Sequence, residues 1–281
     1  MRSDPMSRRR LLASGAVALG ALAGCLSEPT TPGSPTDPPP TPTSDERSPT
    51  GTSVDGDTLR LDSLSVADFV LFPLAGVHPH VHRQAETQYV IVRAATSLPR
   101  ATVRDRLTLE LDGESAPLAE HQPVPWNRET VDLAFAVSKR TTVATGRVLF
   151  DGTELRTLSA ATVERLNEPP VFEVGEPSVS PTEISAGDRV DATVRVEVTN
   201  TGSGVGTFGA SLGSSALSGS KTLTARLAAG ANHQLTGSIS IVGRDDAPTV
   251  SLDWGTDEWT ATVSVVGTET EGRPTPPPTP N

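Results

Sequence analysis

The chain has 281 residues, a formal net charge of −11 and a single cysteine. Its length allows two domains of ordinary size, and one cysteine excludes a disulfide within the chain. The acidic balance argues against nucleic-acid binding, which needs basic patches. It is also a poor match for electrostatic attraction to anionic lipid.

The N-terminus has the pattern of an export signal. Residues 11–24 form an apolar run that is too short to span a bilayer core, for which about 20 apolar residues are needed. A charged start, a short apolar middle and small residues at the end are typical of a secretory signal. Arg8 and Arg9, with Ser7 before them and two leucines shortly after, resemble the twin-arginine consensus. That resemblance implies export of an already folded protein.

The apolar run ends in Leu22-Ala23-Gly24-Cys25, which resembles the lipobox of prokaryotic lipoproteins. The resemblance implies cleavage before Cys25 and a lipid on its thiol, so residues 1–24 are interpreted as a signal peptide. The expected location is the extracytoplasmic face of the cell membrane, reached through the N-terminal lipid. Ordinary cleavage after Ala23 stays open, because Ala21 and Ala23 also fit a small-residue cleavage site.

The mature chain is predicted to be strongly acidic. Removal of residues 1–24 takes away four arginines and one aspartate, which leaves 19 basic and 33 acidic residues and a net charge of −14. The chain has only two lysines, Lys139 and Lys221. This composition resembles exported proteins of salt-loving archaea. At about 1 M salt the Debye length is near 3 Å, so charge repulsion is screened and thermal stability should rise with salt.

Two segments are too poor in apolar residues to form a core. Residues 25–57 are rich in Pro, Thr, Ser and Gly and are predicted to be a disordered stalk. Residues 268–281 have the same composition and are predicted to be a disordered tail. The stalk is expected to hold the folded part away from the membrane.

Between these segments no helical pattern stands out, and short alternating runs predict an all-β chain of two immunoglobulin-like antiparallel β-sandwich domains. The first domain is predicted over residues 58–167. Its predicted strands are 59–64, 68–72, 88–96, 106–111, 130–137, 146–150 and 154–158. Asp112-Gly113 predicts a hairpin turn after the fourth strand. The strand pattern resembles telokin-like domains of exported prokaryotic lipoproteins.

The second domain is predicted over residues 169–267. From Val190 to Val198, apolar residues alternate with polar ones, so one face should lie in a core and the other in solvent. Further strands are predicted around residues 171–174, 208–212, 223–227, 235–241, 250–254 and 259–265. Trp254 and Trp259 flank a four-residue loop and are predicted to face each other across a hairpin. A sugar-stacking platform is the alternative interpretation of this pair.

The segment from Val194 to Gly202 resembles the CARDB-like, cell-adhesion-related family through its V-x-V-x-N-x-G pattern. Leu227-Ala228-Ala229-Gly230 matches the family's later Leu-x-x-Gly segment. The resemblance implies an immunoglobulin-like fold used for surface binding or presentation, with an unknown surface protein or glycan as partner.

Three alternating histidines, His78, His80 and His82, would lie on one side of an extended segment, about 7 Å apart. Imidazole suits Cu or Zn, so these residues are the candidate metal ligands, with His121 as a further ligand. The alternative is an exposed loop, because Pro79 argues against a regular central strand.

Two catalytic motifs match by letter only. Gly204-x-Gly206-x-x-Gly209 is followed by no helix that could hold a dinucleotide. The Gly-x-Ser-x-Gly match at Ser211 has no acid between it and the next histidine, His233, which is also the last. We therefore expect a non-catalytic surface lipoprotein without a cofactor, with a metal- or solute-binding lipoprotein as the alternative.

Overall fold

The computed structural model describes residues 50–54, 57–74, 78–123, 129–215, 220–244 and 246–267. These all belong to one compact unit, Pro39–Asn281. The signal peptide, Cys25, most of the stalk and the C-terminal tail lie outside the described residues. Among the helices that are described, none has the length and apolar character needed to cross a membrane.

The first half of the structure contains ten strands. They are β1 Thr50–Val54, β2 Asp57–Ala67, β3 Val70–Leu74, β4 His78–His82, β5 Thr87–Thr96, β6 Leu107–Leu111, β7 Glu114–Ser115, β8 Thr130–Ser138, β9 Gly146–Phe150 and β10 Thr153–Thr157. The sequence assigned residues 50–57 to the stalk, whereas β1 pairs with β2 from Thr50 onward. The folded part therefore begins earlier than predicted.

Two antiparallel sheets form the first sandwich. One has the order β1-β2-β5-β8 and the other the order β10-β9-β6-β7. Their inner faces enclose a core that includes Leu109, Leu133, Phe135 and Phe150, all with at most 2% of their surface exposed. The predicted turn at Asp112-Gly113 is present, with both residues at positive φ, and joins β6 to β7.

Two short helices, α1 Arg100–Arg106 and α2 Ala160–Asn167, were not predicted. Helix α1 buries only Val103, so it carries no apolar stripe that a sequence pattern would reveal. Ser159 precedes helix α2, and its hydroxyl accepts a hydrogen bond from the Thr162 N–H and caps the helix. Leu166 of α2 lies in the core.

The second half forms the second sandwich. Its strands are β11 Phe172–Val174, β12 Ser178–Ser180, β13 Glu183–Ser185, β14 Arg189–Asn200, β15 Gly206–Ser214, β16 Ser220–Leu227, β17 Asn232–Val242, β18 Thr249–Asp253, β19 Glu258–Thr262 and β20 Ser264–Val266. One sheet joins β11, β12 and β17 to the central strand β14, and the facing sheet has the order β16-β15-β18-β19. The predicted all-β class is confirmed.

The alternation predicted for β14 is also confirmed. Ala192, Val194, Val196 and Val198 are at most 2% exposed and face the core. β14 is a central strand, because β17 pairs along one side of it and β11 and β12 along the other.

Asn200 ends β14 and fixes the turn that follows. Its side chain is fully buried. The side-chain N–H group donates hydrogen bonds to the carbonyls of Gly204, Leu227 and Ala228, at 2.8–3.2 Å. Its oxygen accepts from the backbone N–H of Val171 and Gly202. The asparagine of the V-x-V-x-N-x-G pattern therefore has a structural role here.

The predicted pairing of Trp254 with Trp259 is wrong. Trp259 lies opposite Leu252, and Trp254 falls in the turn, where its N–H donates to the Asp257 carbonyl. The turn is tighter than expected because the Asp253 carboxylate accepts a 2.7 Å hydrogen bond from the N–H of Gly255. Gly255 has a φ of 86°, a conformation that glycine adopts without strain. Both tryptophans still pack against the core.

Candidate functional site

Two features outside the cores gather polar side chains. The first is the junction between the sandwiches, where residues Asp68, Phe69, Val81, Arg83 and Lys139 of the first meet the second. The second is the histidine cluster, made of His82, Glu120 and His121. Both involve the antiparallel hairpin β3–β4, which lies outside the two main sheets of the first sandwich and whose strand β4 contacts β15 and β16.

Asp68 is a buried carboxylate at the junction, immediately after β2. It is 1% exposed, and its Oδ2 accepts a 3.1 Å hydrogen bond from the backbone N–H of Thr207 in the second sandwich. Burial raises the pKa of Asp68 above its ordinary value, and the positive charge of Lys139 is the largest opposing influence. Lys139 itself donates a 2.8 Å hydrogen bond to the carbonyl of Pro170.

Arg83 is the cation buried in the same junction. It is 6% exposed, and its Nη1 donates a 3.0 Å hydrogen bond to the carbonyl of Trp254. The guanidinium carbon lies 4.7 Å from the centre of the Phe208 ring, close enough for a cation–π interaction. Burial lowers the pKa of Arg83 to about 10, while Asp68 acts to raise it. The guanidinium therefore stays charged at neutral pH.

The junction also gives structural roles to residues of the two sequences that match catalytic motifs by letter. Ser211 lies within β15, and its hydroxyl accepts a 3.1 Å hydrogen bond from the N–H of Val81. It is not at a strand-to-helix turn, where a nucleophile would stand. Gly209 lies under the ring of Phe69, so close that a Cβ there would come within 2.6 Å of it.

The histidine cluster lies on the other side of the same hairpin. β4 runs through all three predicted histidines, and its partner register sets Phe72 opposite His80 and Val70 opposite His82. Pro79 is tolerated because β4 belongs to a two-stranded hairpin rather than the centre of a sheet. The side chain of His78 lies outside the described part of the structure.

Among the described residues, the structure gathers a set of ligands that overlaps the predicted one in part. His82, Glu120 and His121 each offer a ligand atom, and these atoms all lie within 4.8 Å of one another. His80 is not a member of this group; its ring packs 6.2 Å from that of Phe72. His121, named in the sequence analysis as a further ligand, is in the cluster. Glu120 was missed, because nothing in its local sequence marks it.

The segment that carries Glu120 and His121 is held along β8 by hydrogen bonds to the backbone of Ala134. The N–H of Ala119 donates to the carbonyl of Ala134 at 2.8 Å. The side chain of Gln122 donates to the same carbonyl and accepts from the N–H of Ala134. These contacts fix the backbone on both sides of residues 120 and 121.

Aromatic packing positions the two histidine rings, and burial acts on the pKa of His82. The ring of His121 stacks on Phe72 at 4.2 Å and meets His82 edge-on at 4.4 Å. Burial lowers the pKa of His82, and His121 lowers it further, whereas Glu120 raises it. His82 Nε2 is buried and has no hydrogen-bond partner among the described residues.

Comparisons with known proteins add little to this description. No protein-family model matches the chain, and no curated protein matches it. One similar solved structure is the crystal structure of the S-layer protein SbsC domains 4 and 5, at 15% identity over 74% of this chain and 99% of that chain. Its TM-score is 0.18, so neither the fold nor the function of this chain follows from the similarity.

Proposed function

We propose that this chain is a non-catalytic lipoprotein of the cell surface, exported by the twin-arginine route and anchored through Cys25. It would hold two β sandwiches away from the membrane for adhesion, binding or support of an envelope complex. The observation that carries the proposal is Leu22-Ala23-Gly24-Cys25, in which the only cysteine of the chain stands where a lipobox requires it.

The junction between the sandwiches supports this function. Asp68 and Arg83 are buried there, and each has a hydrogen bond to the second sandwich. Opening the junction would expose both charges and break both hydrogen bonds. The two sandwiches are therefore suited to presenting one fixed surface, as an adhesive or accessory protein needs, rather than closing like a hinge around a substrate.

The composition agrees with a surface location. Cleavage before Cys25 would leave a net charge of −14, which favours solubility outside the membrane and disfavours nucleic acid as a partner. The membrane contact would be the N-terminal lipid, and the partner of the sandwiches a surface protein or glycan.

The anchor is tested by Cys25→Ser. We expect this variant to be released into the medium or to remain as an uncleaved precursor, because serine accepts no thioether-linked lipid. Ser44→Ala, a substitution in the stalk, is the control and should fractionate with membranes. A Cys25→Ser protein that is still processed and still sediments with membranes would contradict lipid anchoring.

The export route is tested separately by replacing Arg8 and Arg9 with lysine together. The charge is kept, but the arginine pair that the receptor reads is lost, so folded protein should accumulate in the cytosol. Undiminished export of this variant would show that another route is used, and would leave the anchor untouched.

A further inference from the structure

We infer that the histidine cluster is a binding site for one divalent transition-metal ion, Zn²⁺ or Cu²⁺, with His82, Glu120 and His121 as its ligands. This inference does not depend on the proposed surface role. It replaces the ligand set predicted from the sequence, since it takes one histidine from β4 and two residues from the segment along β8.

The donor set suits such an ion. Two imidazole nitrogens and one carboxylate form a combination that holds zinc in catalytic and other open sites. Imidazole also binds copper strongly, and divalent copper binds more tightly than zinc to a given site of this kind. Three protein ligands leave at least one coordination position for water or an anion.

The distances allow the three ligands to close on one ion. Zinc–nitrogen and zinc–oxygen bonds of about 2.0–2.2 Å place ligand atoms roughly 3.3 Å apart around a tetrahedral ion. The ligand atoms of the cluster lie within 4.8 Å of one another. An ion would draw these atoms closer together, and the exposed side chain of Glu120 is free of the packing that holds the two rings.

A second observation points to a ligand. His82 Nε2 is buried and lacks a hydrogen-bond partner among the described residues, an arrangement that costs free energy unless something binds there. On the opposite side, Ala119 and Gln122 hold the backbone around Glu120 and His121 against Ala134. Phe72 supports the ring of His121 from below. The backbone that carries Glu120 and His121 is therefore held in place before an ion arrives.

An ion at this site would join the hairpin β3–β4 to the first sandwich. His82 belongs to β4, whereas Glu120 and His121 are bound along β8. Because β4 also contacts the second sandwich, metal binding should stabilise the whole folded unit and raise its unfolding temperature.

The test uses the full chain with Cys25→Ser, which removes its only thiol. Equilibrium dialysis against zinc chloride, and separately copper chloride, should give one bound ion per chain. Copper should bind more tightly than zinc and show two coupled nitrogens by electron paramagnetic resonance.

His82→Ala and His121→Ala should each weaken binding by about 10–100-fold or more, since loss of even an outer-shell partner has an effect of that size. Glu120→Gln should weaken it to a smaller extent.

Two control variants keep the assignment falsifiable. His80→Ala removes a histidine of the same strand, and His233→Ala removes one from β17 of the second sandwich. Both should bind like the parent chain. Melting curves with a chelator present show whether each variant folds. If a histidine variant does not fold, Glu120→Gln still tests the site, because the Glu120 side chain is exposed. Absence of one-to-one binding in the parent chain, or binding that depends on His80 and not on His121, would overturn the inference.

Discussion

Arg83 shows how one side chain joins two sandwiches. Its guanidinium donates to the Trp254 carbonyl, lies over the Phe208 ring and attracts the buried carboxylate of Asp68. Taking both charges out of water is costly, and the cost is recovered only while the partners stay in place. The pair therefore favours one arrangement of the sandwiches strongly over any looser one.

Arg83→Met tests this at a single position. The substitution supplies an apolar side chain of similar length but removes the hydrogen bond to the Trp254 carbonyl and part of the positive charge near Asp68, which Lys139 still offsets. We therefore expect a loss of about 1–3 kcal/mol in unfolding free energy. Arg140→Met is the control, because Arg140 forms an exposed ion pair with Glu86 that contributes little. Thermal and denaturant melts compare the two.

Adding Asp68→Asn to Arg83→Met extends that test. The amide oxygen of asparagine still accepts from Thr207, and the buried carboxylate that Arg83 had partly offset is gone, so part of the lost stability should return. If Arg83→Met has the same melting temperature as the parent protein, the junction does not depend on this charge pair. The same conclusion follows if the double variant loses more stability than Arg83→Met and Asp68→Asn lose in sum.

Most residues of the junction and of the histidine cluster could not be predicted from the sequence. Asp68 accepts a hydrogen bond from a residue 139 positions away. The sequence around it gives no sign that this aspartate is buried rather than on the surface. Glu120 joins His82 only because the 117–122 segment runs along β8. His82 and His121 were found because histidines are rare here, with five in the chain. Local patterns identify residue types, whereas packing decides which of them meet.

Among the elements, β14 is the one that the sequence describes best. A strand with one buried face alternates with a period of two, and β14 keeps that period from Val190 to Val198. The hairpin at Asp112-Gly113 was predictable for a similar reason, since the turn needs residues that tolerate positive φ.

Val194→Asp tests the register of β14. Val194 is 1% exposed, so an aspartate there would be a buried unpaired charge, costing several kcal/mol against a typical total of about 5–15 kcal/mol. We expect the cooperative unfolding transition to be lost. Arg195→Asp, one residue along on the exposed face, should change the melting curve little. Greater damage from Arg195→Asp would mean that the inner and outer faces are exchanged.

The elements that the sequence missed lack such a period. Helix α1 buries one residue, so its helical character leaves no trace in the hydropathy pattern. The turn between β18 and β19 was misplaced because the sequence shows two tryptophans at loop-like spacing. It does not show that Asp253 bonds to Gly255 and tightens the turn.

At the scale of the whole molecule, the second sandwich has a core of its own. Its buried apolar residues run from Ile184 to Val263 and include none from the first sandwich. The junction nevertheless covers Phe208 and Gly209 with side chains from the first half. The two sandwiches therefore have separate cores, and each covers part of the other's surface at the junction.

A fragment of residues 169–267 should accordingly fold alone but unfold at a lower temperature than the longer fragment 50–267. Its core is complete, whereas the contacts of Phe69, Val81 and Arg83 are lost. Circular dichroism in molar KCl should show β structure and a cooperative transition for both fragments. Absence of a transition in the shorter fragment would mean that the first sandwich is needed for folding. Equal midpoints would mean that the junction adds no stability.

The position of Phe69 over Gly209 limits how the sequence of this protein can evolve. A side chain larger than hydrogen at 209 collides with a ring supplied by the other sandwich, and one at 255 collides with the backbone of Arg83. Neither half can accept such a change unless its partner changes too. Among descendants of a common ancestor, substitutions at 69 and 209 should therefore appear together. A gene segment encoding either sandwich would transfer poorly to another protein without the other.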